Sequence, residues 1–151
     1  MSADVTSSSG RIVVGVDGSS PSIDALRWAA RIGTALGLEI DAVTSWEYPI
    51  SYGMGGLLDY RPDTDATQVL AEALTAAFGD TRPDGLRRLV AEGHPAKVLL
   101  DASSEAEMLV VGSRGHGGFV GQLLGSVSAP CAEHATCPVV VIHPRTDPAE
   151  D

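Results

Sequence analysis

Two kinds of apolar run alternate along the chain, and the alternation predicts the architecture. Arg11-Ile12-Val13-Val14-Gly15-Val16-Asp17 is a short β-branched stretch ending in an acid. Consecutive apolar positions over that length predict a strand buried on both faces. Gly18-Ser19-Ser20-Pro21 follows as a turn, with Ser20 expected to cap a helix and Pro21 to take its first position. Within that helix, expected to reach residue 36, Leu26, Ala29, Ala30, Gly33 and Leu36 recur at helical spacing. Asp24, Arg27, Arg31 and Thr34 fill the other side. Gly37 is the expected stop.

The pattern then repeats. Residues 38–46 predict a second strand, with Glu39 and Asp41 near its start and the buried half from Ala42 onward. Residues 64–78 predict a helix whose apolar face is Val69, Leu70, Ala73, Leu74 and Ala77. Residues 86–91 predict a third strand, at a sheet edge because Arg87 and Arg88 interrupt it. Gly93-His94-Pro95 opens a helix over 96–104 with Val98 and Leu99 inward. A fourth strand over 107–111, a last helix over 126–134 and a fifth strand over 138–143 complete the series. Strands alternating with helices predict an α/β fold: one doubly wound, five-stranded parallel sheet, order 3-2-1-4-5, with helices on both faces. Ligands of such sheets bind beyond the carboxyl ends of the strands, where the strand order reverses. That point lies between strands one and four, so Asp17, Gly112 and the end of strand two near Ser45 should share one crevice. The stretch 49–62, rich in glycine and tyrosine, reads either as a flap near this crevice or as a surface insertion.

The candidate chemistry sits at the end of strand four, in Gly112-Ser113-Arg114-Gly115-His116-Gly117-Gly118, continuing to Gly125-Ser126-Val127-Ser128. Glycines let a backbone approach a ligand closely. Loop N–H groups and a helix N-terminus favour an anion, and the hydroxyls of Ser126 and Ser128 add donors. The physical reading is a phosphate cradle; the alternative is a glycine-rich turn without a ligand. No Gly-x-x-x-x-Gly-Lys-Ser/Thr occurs, and Val120 stands where a dinucleotide fingerprint begun at Gly115 and Gly117 would need glycine.

Composition narrows the field. A formal charge of −10 argues against non-specific nucleic-acid binding, which needs cations on phosphates. It also makes an anionic ligand costly unless Arg114 or a divalent cation offsets it. No apolar run approaches the roughly 20 residues of a membrane span. Residues 1–10 are Ser-rich without the regions of a signal peptide, so a flexible tail and a cytoplasmic location are expected; residues 145–151 read as an acidic tail. Cys131 and Cys137 form no Cys-x-x-Cys pair and read as small semi-buried residues flanking a helix end. The four histidines show no metal-ligand spacing, and no metal site or catalytic residue is assigned.

The spacing Gly112-x2-Gly115-x9-Gly125-Ser126 resembles the nucleotide loop of the universal stress protein family. Val14-Gly15-Val16-Asp17-Gly18-Ser19 resembles that family's opening strand and acid. Gly93-His94-Pro95-Ala96 resembles its turn before the third helix, and Cys137-Pro138-Val139-Val140-Val141 its ending. The resemblance covers residues 11–144, expected to form a single domain. It implies ATP, with Mg²⁺ or Mn²⁺ through the phosphates, and usually a homodimer through the last strand. It places Asp17 at the ribose hydroxyls, or at a metal through water, Ser45 at the adenine through its backbone, and Gly15 among the nucleotide-binding residues. Gly112 and Gly115 would lie near ribose and phosphate, and Gly125, Ser126, Val127 and Ser128 at the phosphates. Arg114, His116 and Gly117 would flank them. For Asp17 a turn or cap role is the alternative. The residues favour a regulatory nucleotide-binding module in stress response, with at most slow hydrolysis. A genuine ATPase, a cAMP sensor or sink on the same fold, and a scaffold without ligand are the rivals.

Overall fold

A computed structural model describes residues 10–48, 61–114 and 124–144. In chain order the elements are β1 (Arg11–Gly15), α1 (Ser20–Leu36), β2 (Glu39–Trp46), α2 (Pro62–Phe78), β3 (Arg87–Glu92), α3 (Pro95–Ala102), β4 (Met108–Gly112), α4 (Ser128–His134) and β5 (Val139–Ile142). The strands form one sheet in the order β3-β2-β1-β4-β5, and every neighbouring pair is parallel.

Strand alternation divides the apolar residues between two faces. Ile12, Val14, Ile40, Ala42 and Val110 pack with Ala25, Leu26 and Ala29 of α1 and Leu70, Ala73 and Leu74 of α2. Val13, Val43, Leu109 and Val111 face the other way, onto Val98 and Leu99 of α3 and Cys131 of α4. Each fully buried aliphatic side chain contributes about 1.5–3 kcal/mol by leaving water, so the central strands β1 and β4 anchor both layers. Edge strand β3 is correspondingly poor in buried residues, with Arg87, Arg88 and Leu89 exposed.

Local capping explains several boundaries. The N-cap of α1 is Ser19, not Ser20, because the Ser19 side chain accepts from the backbone N–H of Ser22. Gly37 ends α1 at φ 74°, returning its N–H to Gly33 O. Leu36, expected inward, is the last residue of α1 and is 62% exposed. His94 caps α3, its Nδ1 accepting from Ala96 N at 3.2 Å. The last helix begins at Ser128, two residues after the expected start, and Val127 precedes it without a side-chain cap.

Asp41 is the clearest departure. It was expected on the solvated start of β2, yet it is 5% exposed. Arg11 Nε donates to its Oδ1 at 2.6 Å, and Arg87 donates to Oδ1 and Oδ2 at 2.8 Å each. Arg11 also bonds Glu39 and the carbonyl oxygens of Ile40 and Gly85. Burial alone would push the Asp41 carboxyl up; the Arg87 and Arg11 guanidiniums together outweigh it and hold the carboxyl below its usual range.

Candidate functional site

At the carboxyl end of the sheet β1 and β4 part. Past Gly15 the first strand leans on β2: Val16 N donates to Val43 O at 2.8 Å, and buried Thr44 returns its Oγ1 proton to Val16 O at 2.9 Å. The chain after β4 turns the other way, Ser113 N donating to Ile142 O at 2.8 Å on β5. A cavity of about 460 Å³ opens between them, within the usual range for a small-molecule site.

One wall is the turn into α1. Asp17 is exposed on the cavity wall, and its Oδ1 accepts from Ser19 N at 2.9 Å and from the Ser19 hydroxyl. Ser22 Oγ in turn donates to Ser19 O at 2.9 Å. Asp17 therefore does serve the turn, and it lines the cavity as well. Gly15 also lines the cavity, but its lack of a side chain has a packing reason: a Cβ there would stand 2.7 Å from Leu99 Cδ1.

The opposite wall is the two ends of the glycine loop. A Cβ on Gly112 would meet Pro21 Cβ at 2.7 Å, so this glycine admits the start of α1 against β4. Gly125 comes back onto β4's continuation, its N–H donating to Ser113 O at 2.7 Å. Ser126 is exposed and Val127 half-buried on the same wall, while Ser128 is buried. Arg114 lines the cavity beside them. The structure thus brings Gly15, Asp17, Ser45, Gly112, Arg114, Gly125, Ser126, Val127 and Ser128 around one space. Gly115, His116 and Gly117 lie outside the described residues, as does most of the stretch 49–62.

Sequence reasoning missed the third wall. Trp46 and Glu47 at the end of β2, and Pro62, Asp65, Ala66 and Val69 on the first turns of α2, also line the cavity. The apolar face of α2 was legible, but the hints that its N-terminus reaches a site were weak: the reading of 49–62 as a flap, and a first turn of Pro62 with acids at Asp63 and Asp65. Charge around the cavity is unequal. Asp17, Glu47 and Asp65 carry carboxylates, and Arg114 is the one cation among the described lining residues. Among the described residues no group of three or more His, Cys, Asp or Glu is placed to hold a metal ion, and no helix is long and apolar enough to cross a membrane. Cys131 and Cys137 are free. Burial raises both thiols, Cys131 to about 11, away from thiolate chemistry.

A model of the universal stress protein family matches residues 9–143. The chain belongs to the universal stress protein family. A universal stress protein of Mycolicibacterium smegmatis is 37% identical over 139 residues, 89% of this chain and 46% of that protein. The chain spans about half the length of the curated relatives it matches. The UspA protein of Lactobacillus plantarum shares the fold, with a TM-score of 0.72 at 21% identity over 88% of this chain and 97% of that one. A universal stress protein solved in complex with cAMP is 27% identical, with a TM-score of 0.57 over 89% of this chain and 96% of that one.

Proposed function

We propose that this universal stress protein domain binds an adenine nucleotide in the β1–β4 crevice and acts as a regulatory nucleotide-binding module. One observation carries the reading. Asp17 and the Gly112…Gly125-Ser126 wall, far apart in sequence, line one cavity of about 460 Å³ at the point where the strand order reverses. The relative solved with cAMP supports the ligand class. In this reading the Asp17 carboxylate accepts from the ribose hydroxyls, a task its chemistry suits because it offers acceptors only. Ser45 offers backbone atoms to the adenine, and the Trp46, Ala66 and Val69 side chains supply an apolar surface for the ring. The backbones of Gly15, Gly112, Gly115 and Gly117 pass close to sugar and phosphate in this reading. Gly125, Ser126, Val127 and Ser128 form the phosphate end, flanked by Arg114 and His116.

ATP is the proposed ligand, with Mg²⁺ or Mn²⁺ entering on the phosphates. The lining fits that arrangement: three carboxylates against one guanidinium leave a triphosphate short of positive charge, and the phosphates themselves would hold the ion. The same shortage bears on chemistry. Beside Arg114 and an ion carried on the phosphates, the described lining offers no further cation that could serve as an arginine finger, and at most slow hydrolysis is proposed. The domain is further proposed to work in the cytoplasm as a homodimer joined along β5, whose four residues are all half-buried at the open sheet edge.

A second reading has its own support. The acid-rich lining favours a ligand of low negative charge, such as cAMP, over free triphosphate. Isothermal titration of nucleotide-stripped protein tests both. Saturable binding of ATP with Mg²⁺, only weakly displaced by cAMP, is expected; tighter cAMP binding selects the sensor reading. Asp17→Ala should lower the affinity roughly tenfold or more through lost charged hydrogen bonds. No heat with either nucleotide overturns the proposal.

A further inference from the structure

Ser126 and Ser128 look equivalent in sequence, two hydroxyls beside one glycine, but their surroundings differ. Ser126 is exposed on the cavity wall. Ser128 is 1% exposed, and its hydroxyl is already committed. Ser128 Oγ donates its proton to Ser113 O at 2.7 Å and accepts from Gly125 N at 2.8 Å. The same Gly125 N–H also reaches Ser113 O, at 2.7 Å. Ser113 is itself tied to β5 through its N–H to Ile142 O, and Gly125 O accepts from Ala129 N at 3.1 Å in α4. Ser113 on one side and the neighbouring Gly125 and Ser128 on the other thus join the end of β4 to the turn before α4.

A hydroxyl has one proton to give. For Ser128 to donate to a ligand phosphate, the bond to Ser113 O would have to break, leaving a buried carbonyl with one partner fewer. We propose that Ser128 is a positioning residue: its buried hydroxyl clasps Gly125 onto Ser113 and so fixes where the Gly125-Ser126 backbone stands. The ligand side of this inference rests on the nucleotide reading above, whereas the clasp belongs to the free protein. It assigns direct phosphate contact to Ser126 and withdraws it from the Ser128 side chain. Gly125 fits the same account, since a Cβ there would press on Ser113 O at 3.1 Å and Arg114 Cα at 3.3 Å, within the clasp itself.

The test measures amide hydrogen exchange by NMR in the ligand-free full chain, followed by titration with AMP and with adenosine. In Ser128→Ala, Gly125 should exchange on the order of tenfold faster, the equivalent of one ordinary hydrogen bond, while amides of β1 such as Val13 stay unchanged. AMP affinity should fall by a similar factor and adenosine affinity should hold. Ser126→Ala should weaken AMP binding without altering Gly125 exchange. Unchanged Gly125 exchange in Ser128→Ala overturns the clasp, and with weakened AMP binding it marks a direct ligand contact. Equal acceleration at Gly125 and throughout β1 also overturns it, marking a general loss of stability. If the wild type binds neither AMP nor adenosine, the nucleotide reading fails, and the exchange data still decide the clasp.

Discussion

The two ends of the parallel sheet solve opposite problems with opposite materials. At the amino end, a buried carboxylate is surrounded by donors: Asp41 receives Arg11 and Arg87, and Arg11 goes on to Glu39 and two carbonyls. At the carboxyl end, Asp17, Glu47 and Asp65 line an open cavity with Arg114 as the one described cation, and backbone bonds through Ser113 and Gly125 hold the walls. The amino end commits its charges to ion pairs; at the carboxyl end Asp17 braces a turn through Ser19 and still stands exposed on the cavity. A fold that fixes its strand register with ion pairs at one end can leave the other end short of internal partners, and that shortage is what a polar ligand can answer.

The largest expected effect comes from breaking the amino end. Asp41→Ala removes the shared, buried acceptor of two guanidiniums, Arg11 partly buried and Arg87 exposed, and the lost charged hydrogen bonds cost about 2 kcal/mol. Urea denaturation should show that loss. Nucleotide titration of the folded variant should stay within about twofold of wild type, because distant sites act nearly additively. A parallel collapse of binding would end the separation of the two ends. The pH dependence follows in sign. Asp41 is held below its ordinary value of 3.8 in the folded state, so its stabilisation is whole above that value and is lost as pH falls through the depressed folded value. Wild type should therefore lose more stability than Asp41→Asn on acidification below about pH 4.

The same contrast explains what was legible in the sequence. Strand and helix identities followed from local periodicity, and the sheet order followed from their alternation, because both depend on neighbours along the chain. Asp41 did not follow. Its partners stand on β1 and β3, and without that pairing an acid near a strand start reads as solvated. The glycines of the site show a subtler limit. Gly15 and Gly112 stood at expected places, but what they admit is Leu99 and Pro21, contacts that only tertiary packing creates. Gly112 and Gly125-Ser126 were legible through their motif spacing, and Asp17 through its place at the end of strand one beside the point where the strand order reverses. The α2 wall, with Pro62, Asp65 and Val69, carried no comparable spacing and became visible only once α2 was docked on β2.

A smaller effect sharpens the description of the carboxyl end. Gly125→Ala places a methyl 3.1 Å from Ser113 O and 3.3 Å from Arg114 Cα, so backbone on both sides must shift by a few tenths of an ångström. Overpacking at so confined a point costs about 1 kcal/mol, which corresponds to a fall of roughly 2–4 °C in unfolding temperature for a chain of this size. Calorimetry checks the shift. The variant should respond to acid as wild type does, because the substitution neither adds nor removes a titrating group.

The smallest effect concerns the serine whose backbone anchors the clasp. Ser113 Oγ is fully buried and is the one buried side-chain polar atom among the described residues without a hydrogen-bond partner. Its carbonyl accepts from Gly125 N and Ser128 Oγ, and its N–H reaches Ile142 O; the side chain takes no part in any of these. A buried hydroxyl without a partner carries a desolvation cost and returns nothing. Ser113→Ala should therefore leave stability within about 0.5 kcal/mol of wild type or raise it slightly, with Gly125 exchange unchanged. Ser128→Ala, one hydroxyl removed from the same clasp, should behave in the opposite way. A loss above about 1 kcal/mol in Ser113→Ala would mean that its hydroxyl is satisfied after all, by a buried water bridging to a neighbouring polar group, and the clasp would then be a side-chain network and not a backbone one held by a single hydroxyl.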